Sequence, residues 1–225
     1  MLSIEYSIGG NVIVSVLNTK GGVGKTTLAI NLAVYRTLMK HRVLAINGDR
    51  QATLSQAFDQ RDAAGHKPAV DNKHIHDGQQ LHDHVQLHKG EYDDIIIDAG
   101  GRDSSALRAA LMLSDVVVVP FQPRSFDVWG VADMDELAVE ALAIKPAIRV
   151  LAVLNAADPA GSDNQDAADA IADLSSLKYI DTPLVRRKAV AEAAASGRSV
   201  IEIRGDDKAR GEMIAFATAV FHTIK

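Results

Sequence analysis

Short apolar strands alternating with amphipathic helices predict an α/β fold, a mostly parallel central sheet with helices on both faces. Three observations carry this. The runs 12–18 (VIVSVLN), 94–98 (DIIID) and 116–120 (VVVVP) are β-branched and almost continuously apolar, as strands buried on both faces must be. Between them lie stretches whose apolar residues recur every three to four positions, the stripe of a helix that covers a sheet. The chain has 225 residues, 47% hydrophobic and 24% charged, which suits one core and excludes a disordered polymer.

The elements follow in order. Strand 12–18 ends in a Gly-rich loop, and a helix is expected over 26–40. Residues 42–47 (RVLAIN) read as a second strand and 51–58 as a helical piece. An irregular, polar, His-rich stretch follows. Strand 94–98 leads to a helix at 104–113, for which Asp103 offers an N-cap carboxylate. Strand 116–120, helix 131–144 and strand 148–155 (IRVLAVLN) come next. Helices are expected over 167–177 and 187–196, with a short strand at 178–181, and a last helix over 207–221. No internal repeat and no long polar linker divides the chain. It is expected to be one domain over 1–225, with an N-terminal extension at 1–11 and a variable His-rich segment at 59–90.

Composition removes several functions. There is no Cys, so there is no disulfide frame, thiolate zinc site or Cys-ligated iron–sulfur cluster. Aromatics are only 4%, which leaves the core to Ala, Val, Ile and Leu. The apolar runs fall far short of the ~20 residues of a spanning helix. Residues 1–11 carry no positive charge ahead of their apolar residues, unlike a secretory signal. A cytoplasmic location without membrane attachment is expected. A net charge of −5 argues against a globally basic nucleic-acid binder and leaves room for a local basic patch.

The informative motif is Lys20-Gly21-Gly22-Val23-Gly24-Lys25-Thr26-Thr27, placed after a strand and opening a helix. That is the context of a phosphate-binding loop. Glycines let the backbone close around a phosphate, successive N–H groups form an anion nest, and the helix N-terminus adds its positive dipole end. Lys25 is placed to neutralise the β- and γ-phosphates and the Thr26 hydroxyl to ligate Mg²⁺. Asp98 closes the run Ile95-Ile96-Ile97, where a carboxylate can hold Mg²⁺, usually through a water; an Asp there can also serve merely as a helix cap.

Thr19 stands where the usual loop begins with Gly, and Lys20 is additional. With those residues the sequence resembles the ParA/MinD family of deviant Walker ATPases, and ParA-type partition ATPases most. The resemblance implies a P-loop NTPase fold, ATP and Mg²⁺ as ligands, and a homodimer that sandwiches ATP. It implies that Lys20 reaches across that dimer to the partner's phosphates while Lys25 serves its own, and that Asp98 is the Walker B acid. Asn47-Gly48-Asp49-Arg50-Gln51 is similar to the family's D-x-D-P-Q segment; Asp49, retained, helps place the attacking water. The first acid is Asn47 and the Pro is Arg50, which implies slow or differently tuned hydrolysis. Asn155, in Val153-Leu154-Asn155, matches the place where relatives present an Asn to adenine; an Asn there can equally end a strand before the Asp158-Pro159 turn. Residues 114–123 and 181–201 also resemble family segments, so the likeness spans 12–222.

Basic residues are unevenly distributed. Between Lys178 and Arg210 eight Lys or Arg meet five acids, a local charge of +3 against −8 for the remainder. Relatives bind DNA without sequence preference through this region, which makes Arg186, Arg187, Lys188 and Arg198 the candidates here. A charged helix face can also be merely solvated. Six of the eight His lie in 66–88; His84 and His88 at i, i+4 have the spacing of a two-imidazole metal face, while Leu81 and Val85 imply a short helix with its His turned to water. The combined expectation is an ATP-dependent DNA-partition or positioning ATPase, nucleoid-associated, whose dimer is reset by hydrolysis that a ParB-type adaptor stimulates. The alternatives are a biosynthetic ligase of the dethiobiotin-synthetase kind and a nucleotide-regulated binding module with little hydrolysis.

Overall fold

The computed structural model describes residues 11–101, 104–123, 125–159, 163–172 and 174–222. Its strands are β1 (Val12–Asn18), β2 (Val43–Asn47), β3 (Asp71–His74), β4 (Asp94–Gly100), β5 (Val116–Phe121), β6 (Arg149–Ala157), β7 (Lys178–Tyr179) and β8 (Leu184–Val185). They form one sheet in the order β3-β2-β4-β1-β5-β6-β7, with β8 also on β6, and all of these pairings are parallel. The helices are α1 (Lys25–Leu38), α2 (Thr53–Ala63), α3 (Gly78–His88), α4 (Ser105–Leu113), α5 (Ser125–Ile144), α6 (Asp163–Ala172), α7 (Lys188–Ala195) and α8 (Asp207–His222), with a 3-10 turn at Val200–Glu202. This is the α/β architecture expected from the alternating pattern.

Every residue of β1, β2, β4 and β5 is buried, because a parallel sheet is covered on both faces. Alternate side chains feed two cores. Val12, Val14 and Val16 pack with Leu28, Leu32, Phe58, Phe216 and Val220 on the α1, α2, α7 and α8 side. Ile13, Leu17, Ile95 and Ile97 pack with Leu81, Leu107, Leu111, Met134 and Ile171 on the α3–α6 side. Each fully buried Leu or Ile stabilises the fold by roughly 1.5–3 kcal/mol relative to exposure.

Several boundaries differ from expectation. α5 begins at Ser125 rather than 131, and α6 covers Asp163–Ala172 rather than 167–177. α4 is capped by Ser104, whose Oγ accepts from Leu107 N at 3.1 Å; the expected cap, Asp103, lies outside the described residues. The stretch read as irregular contains β3 as well as α3, the short helix that Leu81 and Val85 implied and whose core face they form. β3 (Asp-Asn-Lys-His) is a polar, largely exposed edge strand with no apolar alternation for a sequence to display. α3 begins at Asp77, whose carboxylate caps Gln80 N.

The 3-10 turn is held from two sides. Asn31 of α1, buried, accepts from Ser199 Oγ at 2.7 Å and Val200 N at 3.0 Å, while its Nδ2 donates to Thr27 O. Arg61 of α2, fully buried, donates to both carboxylate oxygens of Glu202 at 2.9 Å and to the Gly197 and Pro68 carbonyls. Glu202 also accepts from Ser199 N, closing a capping box.

Candidate functional site

In a parallel α/β sheet, ligands bind beyond the carboxyl ends of the strands, where neighbouring connections diverge. β1 lies between β4 and β5 at that point. The loop 19–24 leaves β1 there and hands directly to α1, whose N-cap residue is Gly24 at φ 98°. No side chain caps this helix end, so its first N–H groups stay available for an anion. Gly24 is glycine for two reasons: the left-handed backbone, and a Cβ that would stand 2.1 Å from Asn155 Nδ2.

Gly21 and Gly22 are exposed, and Val23 is buried beneath them. Lys20 is fixed at its backbone, its N–H donating to Asn18 Oδ1 at 2.8 Å; Asn18 Nδ2 donates in turn to Pro120 O. Thr19 donates from Oγ1 to Asp133 Oδ2 of α5 at 3.1 Å, and Gln122 Nε2 donates to Gly22 O at 3.0 Å. Asn18, Gln122 and Asp133 are contributions the sequence reading missed. The only local signal was that Asn18 and Gln122 are amides directly at the ends of apolar strands.

Lys25 is buried, and its Nζ donates to Lys20 O at 2.8 Å. Burial lowers its pKa, opposed by attraction to Asp98 and Asp49. A Cβ at Gly100 would lie 2.3 Å from Lys25 Cε, so the glycine two residues after Asp98 makes room for the lysine. Thr26 Oγ1 donates to Asp98 Oδ2 at 2.6 Å. Asp98 is buried, and desolvation pushes its carboxyl up to about 6, although the Thr26 bond and Lys25 pull the other way. Thr27, half-buried, presents its carbonyl to Asn31.

Asn47, fully buried at the end of β2, spends its amide internally: Nδ2 donates to Asp49 O and Oδ1 accepts from Leu54 N. Asp49 is half-buried and lies close enough to Lys25 and Asp98 for its charge to move both pKa values. Asn155, at the end of β6, donates from Nδ2 to Val23 O at 2.7 Å. The fold thus gathers Lys20, Lys25, Thr26, Asp49, Asp98 and Asn155 at the carboxyl end of the sheet, on β4, β6, the start of α1 and the loops that follow β1 and β2. Thr26 and Asp98 supply a hydroxyl and a carboxylate oxygen side by side, the hard donors Mg²⁺ prefers.

The four basic candidates are not equivalent. Arg187 pairs with Glu212 at 2.7 Å and Asp206 at 3.9 Å, and the Glu212 bond raises its already high pKa further. Lys188 pairs with Glu192 at 3.0 Å along α7, and Arg198 donates to Glu202 O at 3.0 Å. Arg186 is exposed and makes no side-chain pairing among the described residues. The His84 and His88 ring centroids lie 4.4 Å apart with the rings tilted by 46°, and His88 pairs with Glu91, but among the described residues no three His, Asp or Glu converge as a metal site. No helix among the described residues is long and apolar enough to cross a membrane.

Comparison with known proteins agrees with this geometry. The chain is 29% identical over 202 residues to the maintenance of carboxysome distribution protein A of Gloeobacter kilaueensis, covering 89% of this chain and 88% of the relative. It is 29% identical over 167 residues to the chromosome-partitioning ATPase Soj of Thermus thermophilus, covering 63% and 67%. The fold superposes on the cobyrinic acid a,c-diamide synthase of Mycobacterium smegmatis, solved with an ATP analogue and magnesium, with a TM-score of 0.77, 19% identity and 96% coverage of both chains. Residues 14–200 match the profile of the CobQ/CobB/MinD/ParA nucleotide binding domain, and the chain belongs to that family.

Proposed function

We propose that this chain is an ATPase that positions DNA or another cargo, switching between a nucleotide-free form and an ATP-sandwiched homodimer that binds DNA without sequence preference. The observation that carries the reading is the loop itself. Lys25 is buried against the strand ends, Thr26 is bonded to Asp98, and a second lysine, Lys20, is pinned at its backbone on the same loop. Lys25 holds the phosphates of its own subunit. Lys20 supplies its ammonium across the dimer, stabilising transition-state charge as an arginine finger does. Thr26 and Asp98 would hold Mg²⁺, which neutralises charge on the β- and γ-phosphates. Asp49 orients the water whose oxygen bonds to the γ-phosphorus as the bond to the ADP oxygen breaks. Asn155, fastened to Val23 O, flanks the loop and meets the adenine through what its amide has left to offer.

The names of the relatives, one in carboxysome distribution and one in chromosome partitioning, support a positioning role. A ParB-type adaptor that accelerates hydrolysis, and DNA reached through the basic window, complete the cycle. The synthase of M. smegmatis shares the fold and so keeps a metabolite-activating ligase as the rival reading. A lysine delivered in trans is what that rival does not need. The test is ATPase turnover with and without DNA, alongside light scattering. Wild type is expected to dimerise with ATP and hydrolyse it slowly, whereas Lys20→Ala keeps ATP affinity and stays monomeric. Unchanged dimerisation of Lys20→Ala removes the trans-lysine, and DNA-independent consumption of a metabolite favours the ligase.

A further inference from the structure

Where the family segment carries an acid, this chain carries Asn47, and the structure uses the amide in a way no carboxylate could. Asn47 Oδ1 accepts from Leu54 N at 3.3 Å, in the first turn of α2. The N-cap position of that helix is Ala52, at φ 54° and without a capping side chain, so Asn47 covers an N–H that would otherwise lack a partner. Asn47 Nδ2 donates to the carbonyl oxygen of Asp49. His74, which lies beside Asn47 in the β2–β3 register, brings Nε2 to the same oxygen at 2.9 Å. Ala52 N reaches that oxygen at 3.2 Å to close the turn, and Asp49 Oδ1 accepts from Gln51 N at 2.9 Å.

The Asp49 carbonyl is therefore a hub fed by two side chains from adjacent strands. A carbonyl has no proton to give, so His74 must carry its proton on Nε2. An aspartate at 47 would set oxygen against oxygen and lose the donor. We infer that Asn47 and His74 are positioning residues that pin the Asp49 peptide, and so hold its carboxylate at the cleft beside Lys25 and Asp98 before any nucleotide arrives. Their effect on hydrolysis rests on the reading of Asp49 as the residue that orients water. Small misplacements of such a group cost rate far more than they cost substrate binding.

His74 is exposed on an edge strand, so its variants should fold. His74→Leu removes the donor and His74→Gln restores an N–H at similar reach. Steady-state hydrolysis is expected to fall about tenfold in kcat for His74→Leu with KM for ATP within about twofold, and to recover largely in His74→Gln. Asn47→Asp restores the family's acid: the clamp requires it to hydrolyse more slowly than wild type, and faster hydrolysis would overturn the proposal. So would equal losses in His74→Leu and His74→Gln, or an unchanged kcat in His74→Leu. Two readouts do not depend on turnover. Imidazole ¹⁵N spectra of the unliganded protein should show His74 as the Nε2–H tautomer, and amide exchange over residues 48–53 should quicken in Asn47→Asp and His74→Leu. An Nδ1–H tautomer or unchanged exchange refutes the clamp even if the wild type proves not to hydrolyse ATP, a result that by itself would sink only the ATPase reading.

Discussion

At Gly24 the backbone stands at φ 98° with Asn155 Nδ2 where a Cβ would go. Gly24→Ala must bear the left-handed strain, about 1–3 kcal/mol, and also push the Asn155 amide off Val23 O. It is expected to weaken ATP binding at least tenfold by calorimetry. The second residue-scale prediction concerns Asp98, whose carboxyl sits near 6 rather than the ordinary 3.8 because burial disfavours its charge. The unliganded fold thus binds this proton more tightly than the unfolded chain does. The group's contribution to stability is full below about pH 4 and is lost as pH rises through 6. A metal needs the ionised form, so Mg²⁺-dependent nucleotide affinity should fall about tenfold between pH 7 and pH 5, as titration calorimetry can check. At this scale the sequence showed which residues meet, since strand–loop–helix context places Lys25, Thr26 and Asp98 together. It did not show what they do to one another: the Thr26–Asp98 bond, the clearance at Gly100 and the stapling by Asn155 depend on contacts between elements distant in sequence.

Among elements, the least legible piece was the 59–90 segment. A continuous apolar run announces a strand buried on both faces, whereas β3 is an edge strand with four polar residues and has nothing to announce. α5 starts at Ser125, six residues ahead of the expected 131. α2 was seen as a fragment at 51–58, and its second half holds the side chain that fixes it, Arg61. Removing that guanidinium leaves Glu202 half-buried without its partner, which typically costs about 3–5 kcal/mol. Arg61→Ala should lower the urea midpoint accordingly, while Arg61→Met, which refills the volume, loses less only if Glu202→Gln accompanies it.

For the whole molecule, a net charge of −5 hides a basic window whose members now separate by role. Arg187 belongs to an internal pair and Arg186 does not. Arg187→Ala is expected to lower the unfolding midpoint. Arg186→Ala is expected to leave it unchanged and to reduce the slope of log K against log salt for DNA binding by about 1 per subunit. A normal slope in Arg186→Ala would put the phosphate contacts elsewhere. One more consequence follows from the turn at Val200–Glu202, which Asn31 grips from the helix that follows the glycine-rich loop and Arg61 grips from the helix that follows Asp49. Arg198, half-buried, donates to the Glu202 carbonyl of that turn. Whatever tilts either helix must carry that turn, and the arginine bonded to it, along with it.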